Sequence, residues 1–161
     1  MAEVLRPQFA SYMTADISGI GVDRRLDLTA IDLPDASVDV VYASHVLEHI
    51  REDGAALHEV RRILRPGGFA VLPVPILCER TVEYPEPVEA EAWHVRAPGP
   101  DYFERYDVFD RVRVWSSEDF DDRHQTWAYE DRSIPSRTSP PERSVTGGAR
   151  HIDYVPIGYV D

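Results

Sequence analysis

Leu33-Pro34-Asp35-Ala36-Ser37-Val38-Asp39-Val40-Val41-Tyr42-Ala43-Ser44-His45-Val46-Leu47-Glu48-His49-Ile50 is the stretch on which the fold turns. Leu33, Pro34 and Asp35 carry a turn signal. The run Val38, Val40, Val41, Tyr42, Ala43 that follows is rich in β-branched residues and is bounded by Asp39 and Ser44, which predicts a strand buried on both faces. Downstream, Asp53 is placed to cap a helix on which Leu57, Val60 and Leu64 recur at spacings of three and four, and Arg65-Pro66-Gly67-Gly68 is expected to stop it. Residues 69–76 predict a further strand, with regular pairing confined to its first half because Pro73 and Pro75 each lack a backbone donor. Strand, helix, turn, strand is a βαβ unit, whose two parallel strands require a sheet with helices on both faces. The predicted fold class is therefore α/β, Rossmann-like, with a mostly parallel sheet.

Working outward from that core, residues 4–12 look like the end of a helix interrupted at Pro7. Residues 12–17 predict a short strand ending in Asp16, and residues 26–28 a second one. Residues 79–100 change to acids and prolines, including Glu83, Pro85, Glu86, Pro87, Glu89 and Glu91, and suit an exposed substrate-side loop or lid. Val108, Val112, Val114 and Trp115 mark another packed segment, and Ser117, Glu118, Asp119 and Phe120 can start a short helix. Residues 133–148 are mostly Ser, Thr, Pro, Gly and Arg, a linker composition, before an apolar piece at 152–160 that can supply one strand. The expected organisation is an α/β domain over residues 1–130 and an irregular tail over 131–161.

The chain has 161 residues, 43% of them hydrophobic, enough for the core of one domain. Seventeen Lys and Arg against twenty-nine Asp and Glu give a formal charge of -12, which repels phosphate backbones and anionic lipid, so neither nucleic acid nor a membrane is an expected partner. The single cysteine, Cys78, cannot make an internal disulfide, and no signal-peptide pattern opens the chain; a reducing cytoplasm is the expected location.

Five pieces in fixed order carry a family resemblance: Thr14-Ala15-Asp16; Asp27-Leu28-Thr29; Leu33 to Val41 as quoted above; Ser44-His45-Val46-Leu47-Glu48-His49; and Glu59-Val60-Arg61-Arg62-Ile63-Leu64-Arg65-Pro66-Gly67-Gly68. Together they resemble class I S-adenosylmethionine-dependent methyltransferases of the type with a Leu-Glu-His signature after the fourth strand. Asp110-Arg111-Val112-Arg113 is similar to a later segment in which relatives read Asp-His-Val-Arg, with Arg111 departing from the pattern. The resemblance implies S-adenosylmethionine as cofactor and a small-molecule or polar acceptor as substrate. It implies that Asp16 accepts hydrogen bonds from the ribose hydroxyls, since an ionised carboxylate offers two oxygens to a vicinal diol. It implies further that Asp27 and the backbone N–H of Leu28 read the adenine edge, and that Ser44 and His45 lie beside the methionine part. His49 is the candidate base, because an imidazole titrates near neutrality.

The same resemblance exposes a gap. Relatives open with a strand and an acidic, glycine-rich loop, and no such motif stands before Asp16; Gly19 and Gly21 follow the second family strand and precede no helix. The missing strand is the central one, so its neighbours require a replacement: direct pairing of the flanking strands, a strand from 152–160, or a second subunit, which makes a homodimer an expectation. Two other readings compete with an active methyltransferase. One is a methyltransferase-fold protein without cofactor chemistry, a partner-binding module or a repurposed enzyme such as a cyclase. The other is a zinc hydrolase, because His45, Glu48 and His49 fit a His-x-x-Glu-His spacing; that chemistry needs both histidines on one helix, and His45 directly follows a strand, so no metal ligand is expected.

Overall fold

The computed structural model describes residues 6–120, 128–129, 150–151 and 153–161. Ten strands and one α-helix stand among these residues. The strands are β1 (Ala15–Asp16), β2 (Arg24–Arg25), β3 (Val38–Tyr42), β4 (Leu64–Val71), β5 (Val82–Val88), β6 (His94–Ala97), β7 (Arg111–Ser116), β8 (Ala128–Tyr129), β9 (Arg150–His151) and β10 (Tyr154–Tyr159), and the helix, α1, is Asp53–Ile63. The four-stranded central sheet has the order β3-β4-β10-β7, with β3 and β4 parallel and β10 antiparallel to both its neighbours. The fold is α/β with a mixed sheet. In place of helical cover on both faces, the described residues hold one α-helix and several 3-10 turns, because antiparallel strands need no crossover helix to connect them.

The βαβ unit forms as the periodicity predicts. Ala56, Leu57, Val60 and Ile63 of α1 are buried together with Ala70, Leu72 and Val74. Two details differ. Asp53 is not the cap: Glu52 takes that position with no side-chain cap bond, while the buried Asp53 carboxylate accepts from the Tyr102 hydroxyl at 2.7 Å and from Arg105 Nη1 at 2.6 Å. The Arg65-Pro66-Gly67-Gly68 turn lies inside β4, where the register slips between Val38↔Leu64 and Val40↔Phe69, and Gly67 takes φ +81°, a left-handed conformation that glycine adopts without strain. Beyond Val71 the prolines end regular pairing as expected, although the N–H groups of Ala43 and His45 still bond to the carbonyls of Val71 and Pro73.

β3 is not buried on both faces. Its residues are half-buried or exposed, since β4 is its single ladder partner among the described residues. Of the three ways to fill the gap beside it, two are overturned: β1 pairs in parallel with β2 and not with β3, and β10 inserts between β4 and β7. β1 and β2 are each two residues long, and β2 ends before the predicted 26–28, where only an isolated bridge, Asp27↔Ala30, is found. Pro7 lies in a 3-10 turn, Arg6–Gln8. The linker-like stretch 133–148 falls outside the described residues.

The expected acidic loop is instead a hairpin. β5 and β6 pair antiparallel, Tyr84 and Ala97 pack with Leu77 and Cys78, and Arg96 between them is 1% exposed. Ser117–Asp119 forms the expected short helix as a 3-10 turn closed by a capping box between Ser116 and Asp119. Gly158 of β10 lies under the Phe109 ring, so that a Cβ there would stand 2.4 Å from Cδ2 of that buried ring. Gly158→Ala is expected to destabilise the protein by about 1–3 kcal/mol through overpacking. Urea unfolding checks this; a change within about 0.5 kcal/mol, the range of a neutral surface substitution, contradicts it.

Candidate functional site

Five of the candidates sit at or just beyond the carboxyl end of a parallel strand, the end at which open α/β sheets hold ligands, while His49 lies in the later turn Leu47–His49. Asp16 ends β1 and Asp27 follows β2, with Leu28 beside it; Ser44 and His45 follow β3. Asp16 is exposed and accepts from the Ser18 N–H at 2.7 Å and from the Ser18 hydroxyl, contacts that hold its carboxyl below the usual range. Asp27 does the same with Thr29, accepting from its hydroxyl at 2.7 Å and its N–H at 2.8 Å, and is likewise lowered. Both acids are thus ionised at neutral pH, each with Oδ1 engaged in its own turn. The Leu28 side chain packs on the main core.

The loop that carries Asp27 is fastened to α1 by a clamp the sequence did not announce. Arg62 donates to the carbonyls of Ile31 (2.8 Å) and Leu33 (2.9 Å) and to Asp35 (2.6 Å), while Glu59 accepts from the Ile31 N–H at 2.8 Å and from Arg62. Its partners drive the Glu59 carboxyl down to about 2, chiefly the Arg62 guanidinium.

His45 leaves β3 with φ +55°, off any helix, and its exposed ring places Nδ1 3.5 Å from Glu48 Oε1. The Leu47–His49 segment is a single 3-10 turn, so His45 and His49 do not share a helix and the zinc-peptidase geometry is absent there. The Glu48 side chain is 1% exposed, and burial pushes its carboxyl up to about 7. His49 is exposed and meets the His94 ring edge-on at 4.7 Å.

His94 comes from β6, and the hairpin is pinned beside this turn by Arg96. The Arg96 guanidinium donates to the carbonyls of Leu47 (2.6 Å), Ile50 (2.6 Å) and Arg51 (3.0 Å) and pairs with Glu83 (3.0 Å) and Asp53 (3.4 Å). Arg51 in turn donates to the Tyr84 carbonyl. His94 and Arg96 were missed by sequence reasoning. A His-x-Arg inside an acidic, proline-rich stretch offers no period that signals burial.

Ionised acids and an imidazole thus lie at the carboxyl ends of parallel strands in an α/β fold. Residues 2–72 match the family described as methyltransferase domain. A 66-residue stretch, 41% of this chain, is 42% identical to a protein of Mycolicibacterium smegmatis provisionally assigned as an S-adenosylmethionine-dependent methyltransferase, and covers 23% of that protein. Over 85 residues, 53% of this chain, identity is 35% to the 27-O-demethylrifamycin SV methyltransferase of Amycolatopsis mediterranei, 30% of whose length is covered. The chain spans less than a third of either relative. A Bacillus halodurans C-125 structure, provisionally assigned as a methyltransferase, superposes on 97% of this chain and 82% of its own with a TM-score of 0.52 at 15% identity, a likeness of fold. Over residues 2–72, less than half of its length, the chain is thus similar to the methyltransferase domain family.

Proposed function

We propose that this protein binds S-adenosylmethionine at the carboxyl ends of β1, β2 and β3 and methylates a small polar acceptor. The match of residues 2–72 to the methyltransferase domain family carries this reading, because that segment contains Asp16, Asp27, Leu28, Ser44, His45 and His49. The donor set fits the cofactor: Asp16 and Asp27 are held ionised, as acceptors for a ribose diol and an adenine amino group must be. When bound, the sulfonium supplies an activated methyl group for in-line displacement. The chain's own residues then orient the acceptor, and His49, exposed beside His94, takes a proton where the acceptor has one to lose. The relative named for 27-O-demethylrifamycin SV supports a small-molecule acceptor.

Titration calorimetry with S-adenosylmethionine tests the reading. Heat of binding is expected, weakened roughly tenfold or more in Asp16→Ala by loss of charge-assisted hydrogen bonds. Absence of binding at millimolar cofactor removes the proposal; unchanged affinity in Asp16→Ala removes the ribose placement alone. A second copy paired along the outer edge of β3 is the matching proposal for assembly, and a monomer at every concentration in sedimentation would remove it.

A further inference from the structure

The Glu48 carboxylate is the least explained group in the molecule. It is buried, neither oxygen accepts a hydrogen bond among the described residues, and the contact to His45 at 3.5 Å is too long to be one. A carboxylate so placed loses its hydration with no donor to replace it. The nearby Arg96 does not serve it, since its N–H groups go to three carbonyls and to Glu83. What faces Glu48 is imidazole. One donor atom from each of Glu48, His49 and His94 lies within 4.8 Å of the other two.

We infer that Glu48, His49 and His94 form a binding site for a divalent first-row transition ion, with zinc the best-suited probe. Two neutral nitrogens and one anionic oxygen match the donor preference of such ions and leave a coordination position open, whereas magnesium and calcium demand oxygen shells. Ligand atoms about 2.0–2.1 Å from a tetrahedral zinc stand roughly 3.3 Å apart, so the imidazoles close in by up to about 1.5 Å. His49 is exposed, and His94 is carried on a hairpin that Arg96 fastens to the turn holding Glu48. This ligand set is not the His-x-x-Glu-His spacing of the sequence. His45 is displaced from it by its left-handed backbone, and a histidine 45 residues beyond His49 takes its place. The site stands on these three side chains and does not depend on cofactor binding; an ion held by His49 occupies a nitrogen that would otherwise accept a proton, so the base role proposed above belongs to the metal-free protein.

The test is zinc titration of the full chain after stripping with EDTA, followed by calorimetry and by the visible bands of the cobalt-substituted protein. One ion per chain is expected, with affinity falling about tenfold or more in each of Glu48→Gln, His49→Ala and His94→Ala and unchanged in His58→Ala, an exposed histidine bonded to the Gly54 carbonyl. Far-UV circular dichroism of each variant guards against loss of fold; should Glu48→Gln fail to fold, His94→Gln carries the test. No zinc binding by the folded wild type overturns the proposal. So does binding that survives His94→Ala, or that is lost in His45→Ala and kept in His94→Ala.

Discussion

Arg96→Ala is expected to lower the stability of the protein by about 3–5 kcal/mol, the cost of breaking a buried charge pair from one side. Alanine removes the donor shared by the carbonyls of Leu47, Ile50 and Arg51 and the cation facing Glu83 and the buried Asp53. Asp53 keeps Tyr102 and Arg105, but the three carbonyls lose a partner at once. Against the roughly 5–15 kcal/mol that holds a domain together, this is a large share. Arg96→Lys should not rescue it, because a compact ammonium cannot reach three carbonyls and a carboxylate from one planar fork. The midpoint of urea unfolding, at constant slope, is the measurement, and a loss under 1 kcal/mol in Arg96→Ala would show that the hairpin stands without it.

Glu48→Gln should act in the opposite direction, and only at higher pH. Burial raises the Glu48 carboxyl from 4.5 to about 7, so between those values the folded protein holds a proton that the unfolded chain has released. Folding therefore binds protons in that window, and stability falls as pH rises from 4.5 to about 7, then levels off once both states are ionised. The shift corresponds to about 3 kcal/mol. In metal-free protein, wild type should be less stable at pH 8 than at pH 5 relative to Glu48→Gln, which carries no charge to desolvate. Chemical unfolding of the pair at both pH values checks it: parallel pH profiles would mean that the carboxylate finds compensation in the folded state.

The strand Val38–Tyr42 and the helix Asp53–Ile63 were legible because each depends on contacts close in sequence, a β-branched run and an apolar stripe, that any packing partner satisfies. The central place of Tyr154–Tyr159 was not, since its partners are Phe69 to Val71 and Arg111 to Ser116, and nothing local encodes which strand a short apolar piece will join. The hairpin was misjudged because its acids are real surface residues, Glu83, Glu86 and Glu89, while its anchor is a charged side chain that composition assigns to solvent. For the candidate site, the order of Asp16, Asp27, Ser44 and His45 along strand ends could be foreseen, but their fastening could not: Arg62 reaches back to Ile31 and Leu33 across roughly thirty residues. His94 shares a cluster with Glu48 and His49 only because Arg96 ties two distant segments together.

The bare flank of Val38–Tyr42 has a practical corollary for anyone handling the protein. Along one side its five residues of extended backbone have no ladder partner among the described residues, with Tyr42 exposed at the end and Asp39, bonded to Arg65, the one charge along it. In dilute solution water occupies that ladder; as concentration rises, extended segments of neighbouring molecules compete for it, and a single aspartate is a thin defence against their stacking. Light scattering against concentration should therefore climb sooner in Asp39→Val than in wild type, making this short ribbon the determinant of how far the protein can be concentrated.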